Sequence, residues 1–373
     1  MAISTTTSGG TTTSFSNTPQ AKDDLYTASA LTAQQSGGLT EDTTDTVFYL
    51  DVMFNDLGGN AKTLWSLDNA MSDDTSTKLP APADLLSQDI VGADNFSRYG
   101  ALIEFTATGK VAYSMTADSI KHFQSLAAGQ VGEDSFTYAI RLGNGTLSWA
   151  TVTLQITGTN DAPVVTGAVI GTAIEDGVSS TLNALANATD VDKGATLTVT
   201  NLPAALPAGV TYNATTHSFT LDPSNAAFQR LAKDATITAS VTYSISDGIT
   251  SSAASVSWTV TGTNDAPVAY DATNTTSENA ILNGQVPVAT DVDGTIASYT
   301  LATGTGTGNG TVTLSPSGSY SFTPGTDFDA LANNVSRNVS FTYYATDNFG
   351  TNSASQTVDL ANKMDKHPLI RLN

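Results

Sequence analysis

Gly158-Thr-Asn-Asp-Ala-Pro-Val164 recurs residue for residue as Gly262-Thr-Asn-Asp-Ala-Pro-Val268, 104 residues further along the chain. Seven identical residues at that interval mark tandem units joined by a reused junction. Alternating sequence precedes each copy: Val152, Leu154 and Ile156 before the first, Val256, Trp258 and Val260 before the second. Apolar residues at every second position bury one face of a strand and leave the other wet. Each junction sets an Asn-Asp pair beside a Pro, which suits a short stiff linker carrying oxygen ligands for a hard cation.

Working outward, Ser135-Phe-Thr-Tyr138, Ser240-Val-Thr-Tyr243 and Ser340-Phe-Thr-Tyr343 are three versions of one strand. Turn residues follow each: Leu142-Gly-Asn-Gly145, Asp247-Gly248 and Asp347-Asn-Phe-Gly350. Two alternating strands about a short Asp/Asn/Gly turn predict a hairpin. Residues 196–200, 218–221, 236–240 and 311–314 read as further short strands, rich in Thr and Val. Many short strands punctuated by turns predict an all-β chain of three tandem immunoglobulin-like β-sandwich domains in line. Their expected bounds are 21–160, 161–264 and 265–362, with a Thr/Ser-rich arm at 1–20 and a tail at 363–373. The arm has little to bury and is expected to be disordered unless a neighbour supplies a place for it. Helix is expected only over 118–128, 224–233 and 328–333, and 68–97 reads as an insertion. The glycine-rich stretch Thr303–Gly310 reads as a hairpin loop rather than a phosphate cradle, because no strand-to-helix step surrounds it.

The chain has 35 acidic and 14 basic residues; divided after Pro163 and Pro267, with the tail counted in the last part, it holds 18, 8 and 9 acids against 7, 3 and 4 bases. An acidic surface on every unit repels phosphate backbones, so nucleic acid is excluded as a partner. There is no Cys, which removes disulfides and thiolate metal sites. No apolar run approaches the length of a membrane span, so no membrane insertion is expected. The opening Met1-Ala-Ile-Ser-Thr-Thr-Thr lacks the basic and apolar regions of a secretory signal.

These motifs resemble the bacterial cadherin-like and VCBS-type repeats of large secreted adhesins and biofilm-matrix proteins. Such repeats end in G-T-N-D-A-P-V, then carry E-D, A-T-D-x-D and F-T-Y-x-x-x-D-G. The second unit has Glu175-Asp176, Ala188-Thr-Asp-Val-Asp192 and Tyr243–Gly248; the third has Glu278, Ala289-Thr-Asp-Val-Asp293 and Tyr343–Asp347. The first unit is more divergent. Its Asp23-Asp24-Leu-Tyr26 and Leu50-Asp-Val-Met-Phe-Asn-Asp56 resemble N-D-D-x-Y and D-V-L-A-N-D. The resemblance covers residues 21–360. It implies cadherin-like sandwiches, calcium bound near domain junctions, a secreted or cell-surface location, and one-step export read from a C-terminal signal. Two departures stand out. Leu142 occupies the place of Asp247 and Asp347, and the last junction, Asn362-Lys-Met-Asp365-Lys-His-Pro368, carries two Lys, which makes it a poor calcium site and suits a true terminus.

Calcium takes six to eight oxygen ligands in irregular geometry, so loops can supply it. Alternate residues of a strand end point the same way, so Asp190 and Asp192, and likewise Asp291 and Asp293, present paired carboxylates to one side. The candidate metal ligands are Asn160, Asp161, Glu175, Asp190, Asp192, Asp247, Asn264, Asp265, Glu278, Asp291, Asp293 and Asp347. Asp247 and Asp347 serve equally well as turn formers, since Asp before Gly is favoured in turns with no metal at all. Asp23, Asp24, Asn55 and Asp56 are weaker candidates, and Asp73-Asp74 reads as solvated.

No enzyme is expected. His122, His217 and His367 lie in dissimilar contexts and form no catalytic or metal spacing. Trp65 and Trp149 could stack on sugars, whereas Trp258 belongs to a core pattern. The expected function is a calcium-stabilised extracellular structural or adhesive protein that assembles with its own kind into a filament or layer. Residues 1–20 or the terminal segment would add as a strand to a neighbour's sheet edge. The alternative is a monomeric calcium-dependent module binding a glycan or host protein, and a third reading is part of a longer adhesin.

Overall fold

The computed structural model describes residues 10–11, 21–57, 59–69, 83–92, 95–329 and 335–363. The protein is mostly β, built as β-sandwich domains in tandem. It forms two compact units, the first of residues 1–166, 188–200 and 244–253, the second of 167–187, 201–243 and 254–373.

In the first unit, the hairpin Val131–Leu142 with Leu147–Thr157 anchors one sheet, its register running from Val131 opposite Thr157 to Arg141 opposite Leu147. Lys62–Asp68 flanks it on one side. On the other side Asp24–Tyr26 runs parallel to Val152–Leu154, and Thr40 bridges in parallel to Thr157. The second sheet has the order Val47–Leu50, Val111–Ser114, Leu102–Phe105, Asn95–Phe96. Phe48, Leu50, Ile103 and Val111 of this sheet share one core with Phe136, Tyr138, Val152 and Leu154 of the other. The unit also holds the short ladder of Val164–Val165 with Ala188–Thr189, and Thr198–Thr200 paired with 244–246.

In the second unit, Val169–Ile174 pairs in parallel with 256–261, and Ser218–Leu221 lies between Ser180–Asn183 and Val210–Asn213. Trp258 is fully buried and its indole donates to Ser180 Oγ at 3.1 Å, linking the two layers. The last sandwich repeats the plan. Ala272–Ser277 is parallel to Gln356–Lys363, followed in order by Ser336–Asp347 and Ile296–Thr303. Leu282–Gln285, Ser319–Thr323 and Thr311–Leu314 form the facing sheet. Phe322 and Phe328 from one side pack with Phe341, Tyr343, Val358 and Leu360 from the other.

Several expectations need correction. The helix expected over 118–128 is the shorter Ala117–Phe123, opened by a capping box between Thr116 and Ser119. Residues 224–233 form turns, because Asn225 and Asp222 bond the backbone ahead of them in place of a helical ladder. Around Phe328 there is only a 3-10 turn, Gly325–Phe328, and 330–333 lie outside the described residues. Residues 304–310 join strands of two different sheets, so they are a crossing between layers and not a hairpin loop. Part of the expected insertion packs: Leu85 is buried between Trp65 and Trp149. Within the arm, Gly10–Thr11 pairs antiparallel with Ser148–Trp149; its other residues, like Asp73, Asp74, His367 and the tail beyond Lys363, lie outside the described residues.

Both repeated junctions begin with a Gly for a steric reason. A Cβ on Gly158 would sit 2.3 Å from the Ala127 carbonyl oxygen, and one on Gly262 would sit 2.4 Å from that of Leu231. Gly262→Ala therefore forces backbone apart and is expected to cost about 1–3 kcal/mol. Gly143→Ala, which meets nothing within 4 Å, should stay within about 0.5 kcal/mol of the parent. Denaturant unfolding of the two variants checks the contrast.

Candidate metal centre

The parallel strands decide the site. Because Val169–Ile174 runs alongside 256–261, its end arrives beside the exit of the last strand, where the Glu175 N–H donates to the Thr261 carbonyl at 2.9 Å. Glu175 thus belongs to the junction that follows its sandwich, Thr263-Asn264-Asp265. Thr263 N–H donates to Glu175 Oε2 at 3.0 Å. Asn264 Nδ2 donates to the Asp265 carbonyl at 2.9 Å and to Asp347 Oδ2 at 2.6 Å. Asp293 N–H and Gly294 N–H both donate to Asp291 Oδ1, which draws that loop around the pair. Asp265 N–H reaches Asp293 Oδ1 at 3.4 Å.

The preceding junction repeats this arrangement with an acid that sequence reading passed over. Glu41 takes the role of Glu175. Its Oε1 accepts from Thr159 N–H and lies 2.8 Å from Thr159 Oγ1, while Asp42 Oδ2 lies 2.7 Å from the same hydroxyl. Asn160 Nδ2 donates to the Asp161 carbonyl at 2.7 Å and Asp247 Oδ2 at 2.9 Å. Asp161 N–H donates to Asp192 Oδ2, and Asp192 N–H to Asp190 Oδ1. The dipeptide Glu41-Asp42 matches Glu175-Asp176, which is the signal that identifies it.

What remains after these bonds is informative. Buried with no hydrogen-bond partner are Glu41 Oε2, Asp161 Oδ2, Asp190 Oδ2 and Asp192 Oδ1 at the first junction. At the second they are Glu175 Oε1, Asn264 Oδ1, Asp265 Oδ2, Asp291 Oδ2 and Asp293 Oδ2. Buried carboxylate oxygens are ordinarily satisfied, so a concentration of exceptions calls for a positive charge. Among the described residues, no three His, Asp or Glu side chains are drawn together tightly enough to form a ready metal cluster.

Asp247 and Asp347 behave differently from the rest. Asp247 Oδ1 accepts from Ile249 and Thr250 N–H, and its Oδ2 accepts from Asn160. Asp347 accepts from Phe349 and Thr351 N–H and from Asn264. These two close their own turns and hold the junction Asn in place. Glu278 repeats the backbone bond of Glu175, donating to the Lys363 carbonyl at 3.0 Å, and its Oε2 is unpartnered. It joins neither junction; instead it lines a hollow of about 270 Å³ with Asn279 and Asp329.

Electrostatics follow from this geometry. Burial pushes the carboxyl pKa of Glu41, Asp161, Glu175, Asp192, Asp265 and Asp293 upward. Neighbouring acids add to it: Asp42, Asp192 and Asp190 around Asp161, and Asp176 and Asp291 around Asp265. For Asp247 and Asp347, burial also pushes upward, but the donors from Asn160 or Asn264 and the turn backbone outweigh it and the net shift is downward.

Residues 159–261 match the family described as cadherin-like domain, and residues 264–362 match the bacterial cadherin-like domain. No curated protein matches the chain. Solved structures similar to it include mouse cadherin-23 EC22-24, at 17% identity and TM-score 0.46, covering 94% of this chain and 99% of that one. Mouse PcdhgC3 EC1-3 follows at 14% identity and TM-score 0.41, covering 74% and 88%. Drosophila N-cadherin EC1-4 has 14% identity and TM-score 0.35, covering 92% and 74%. At these scores the superpositions add nothing to what the two family matches establish. Among the described residues no helix is long and apolar enough to cross a membrane.

Two predictions come from the charges. Carboxyls raised above their unfolded values bind protons more readily in the folded state. Metal-free protein should therefore gain stability as pH falls from neutrality toward the ordinary carboxylate range near about 4, the reverse of ordinary acid destabilisation, with the opposing Asp247 and Asp347 acting only below that range. Calorimetry in chelator at the two pH values reads the sign. Asp347→Ala removes charge-assisted bonds to the turn and should cost about 1.5–3 kcal/mol already in chelator. A loss confined to calcium would make Asp347 a ligand instead.

Proposed function

We propose that this chain, whose residues 159–362 are cadherin-like domains, is a calcium-stabilised extracellular structural or adhesive protein that assembles with its own kind. The observation that carries the reading is the gathering of buried, unpartnered oxygens at the two junctions. The donor set fits calcium: carboxylates and one amide oxygen, with no sulfur and no imidazole. Glu41, Asp161, Asp190 and Asp192 would hold the ion at the first junction. At the second, Glu175, Asn264, Asp265, Asp291 and Asp293 would do so. Asp247 and Asp347 serve from behind, orienting Asn160 and Asn264.

Calcium supplies the positive charge that cancels the repulsion of these acids. Two carboxylates about 4 Å apart repel by roughly 4 kcal/mol at an effective dielectric near 20. Without the ion the junction is held by single hydrogen bonds such as Thr263 to Glu175; with it, the glutamate and the aspartates become ligands of one centre. The junction is thereby stiffened.

Self-assembly draws support from the arm. Gly10–Thr11 adds to the edge of Leu147–Thr157 at Ser148 and Trp149, so this segment already makes an edge-strand pairing within one chain. Exchange of that pairing between copies is a low-cost route to a polymer. A second reading, glycan binding by a monomer, rests on a shallow groove of about 490 Å³ on the last sandwich, lined by Asn283, Thr313, Ser315, Ser319 and Ser321. A glycan array tests it.

Calcium at a hundredfold excess over its dissociation constant should stabilise the fold by about 2.7 kcal/mol per site. Glu175→Gln with Asp293→Asn should remove roughly half of the calcium-dependent rise in Tm. Solution scattering should show a more extended particle in calcium than in chelator. Electron microscopy with and without calcium, on the full chain and on a 1–20 deletion, reads the assembly. Identical scattering and melting in both conditions contradicts the calcium reading, and polymers undiminished by the deletion contradict the role of the arm.

A further inference from the structure

The first sandwich, outside both family matches, carries a third set of unpartnered acids away from the junctions. Asp24 opens the strand Asp24–Tyr26, which lies along Val152–Leu154. It is only 4% exposed, and neither of its carboxylate oxygens has a hydrogen-bond partner. Asp56, 7% exposed, closes the turn after Val47–Leu50. Its Oδ1 accepts from Lys22 N–H at 2.7 Å and lies 3.0 Å from the Tyr138 hydroxyl, while Oδ2 is unpartnered. Asn55 donates its amide to the Asp23 carbonyl at 3.1 Å, which leaves Asn55 Oδ1 buried and unpartnered as well.

The charges of Lys62 and Lys22 favour ionised Asp56, whereas the charged neighbours pressing on Asp24 are acids. Lys62 Nζ bonds the carbonyls of Met53 and Asp56 at 2.5 and 2.6 Å, so it braces the loop rather than neutralising Asp24. Burial pushes the Asp24 carboxyl pKa up; the nearby Tyr138 hydroxyl, whose hydrogen bonds go to Asp56 Oδ1 and the Lys22 carbonyl, offsets this only in part and leaves both Asp24 oxygens without a partner. Asp56, Asp23 and Asp51 all press on Asp24 with like charge. An isolated buried carboxylate in such company costs far more than a fold of this size has to spare, unless a charge of opposite sign joins it.

We propose that the first sandwich holds a hard divalent cation of the calcium class of its own, between Asp24, Asn55 and Asp56. Four side-chain oxygens are on offer: two from Asp24 and one each from Asn55 and Asp56. Water completes a shell of six to eight. The make-up differs from the junction centres. No glutamate takes part, and the wall is formed by Tyr26 and Tyr138 instead. Tyr26 is half-buried, and its hydroxyl oxygen is buried without a hydrogen-bond partner. The ion would pin the entry of the chain into the sandwich, joining the opening strand to the loop at 51–57.

The neighbouring tyrosines provide the readout. Terbium, a calcium stand-in excited through nearby phenols, should give a luminescence with the full-length protein that calcium competes away. Asp24→Asn should abolish that part of the signal and lower the number of calcium ions counted by titration calorimetry by one. Glu175→Gln with Asp293→Asn should leave the Asp24-dependent signal in place, so failure here and failure at the junctions are separable. Asn55→Ala, which retains both carboxylates, should weaken calcium at this centre by about tenfold and serves if Asp24→Asn does not fold. An unchanged ion count and an unchanged signal in Asp24→Asn, or an unchanged calcium affinity in Asn55→Ala, overturns the proposal.

Discussion

The parallel pairing of an opening strand with the closing strand of the same sandwich governs the rest of this structure. Antiparallel hairpins make the sheets, but a parallel strand alone ends where its partner ends. It therefore delivers the residue after it to the exit of the sandwich. That residue is Glu175 after Val169–Ile174 and Glu278 after Ala272–Ser277, and Glu41 follows the parallel bridge at Thr40. Reversing the strand would place the same glutamate at the far end of the sheet. The junction chemistry is thus a consequence of topology before it is a matter of residue type.

Packing and charge are divided between different parts of each domain. The cores are apolar, with Trp258, Phe219 and Tyr243 in one and Phe341, Tyr343 and Leu360 in another. The acids gather at the strand ends, where the backbone turns and donors are already engaged. Thr159 and Thr263 satisfy one oxygen of each glutamate, and the other is left over. Burial then raises the pKa of these groups rather than lowering it, the mark of carboxylates collected without a counter-charge inside the chain. Stability of the sandwiches and order at the junctions are consequently separate quantities, the first set by the core and the second by what neutralises the acids.

Much of this was legible from residues alone. The hairpins follow from alternation and turn chemistry, and Trp258 sits in the core as its pattern requires. The junction Asn and Asp and the D-x-D pairs lie together as the repeated motifs suggest. The parallel strands were not legible, for a physical reason. Gly171 and Ala173 face inward because Trp258 leaves no room for more: a Cβ on Gly171 would stand 3.1 Å from the indole. Ile170 and Ile174 point outward, so the apolar pattern reads inverted, and Ala272–Ser277 has almost no apolar residue at all. Glu41-Asp42 escaped notice because the strand before it is reduced to a single bridge. Asp247 and Asp347 share their composition with the other acids, and only their hydrogen bonds separate turn-closing carboxylates from free ones.

The account stands or falls on what occupies the space among Glu175, Asn264, Asp265, Asp291 and Asp293. A high-resolution crystal structure grown in calcium, with anomalous data to identify the ion, addresses it directly. A calcium peak bonded to Glu175 Oε1 and to the unpartnered oxygens of the aspartates is the predicted result. Density showing those side chains turned out into water, with no ion between them, would contradict it.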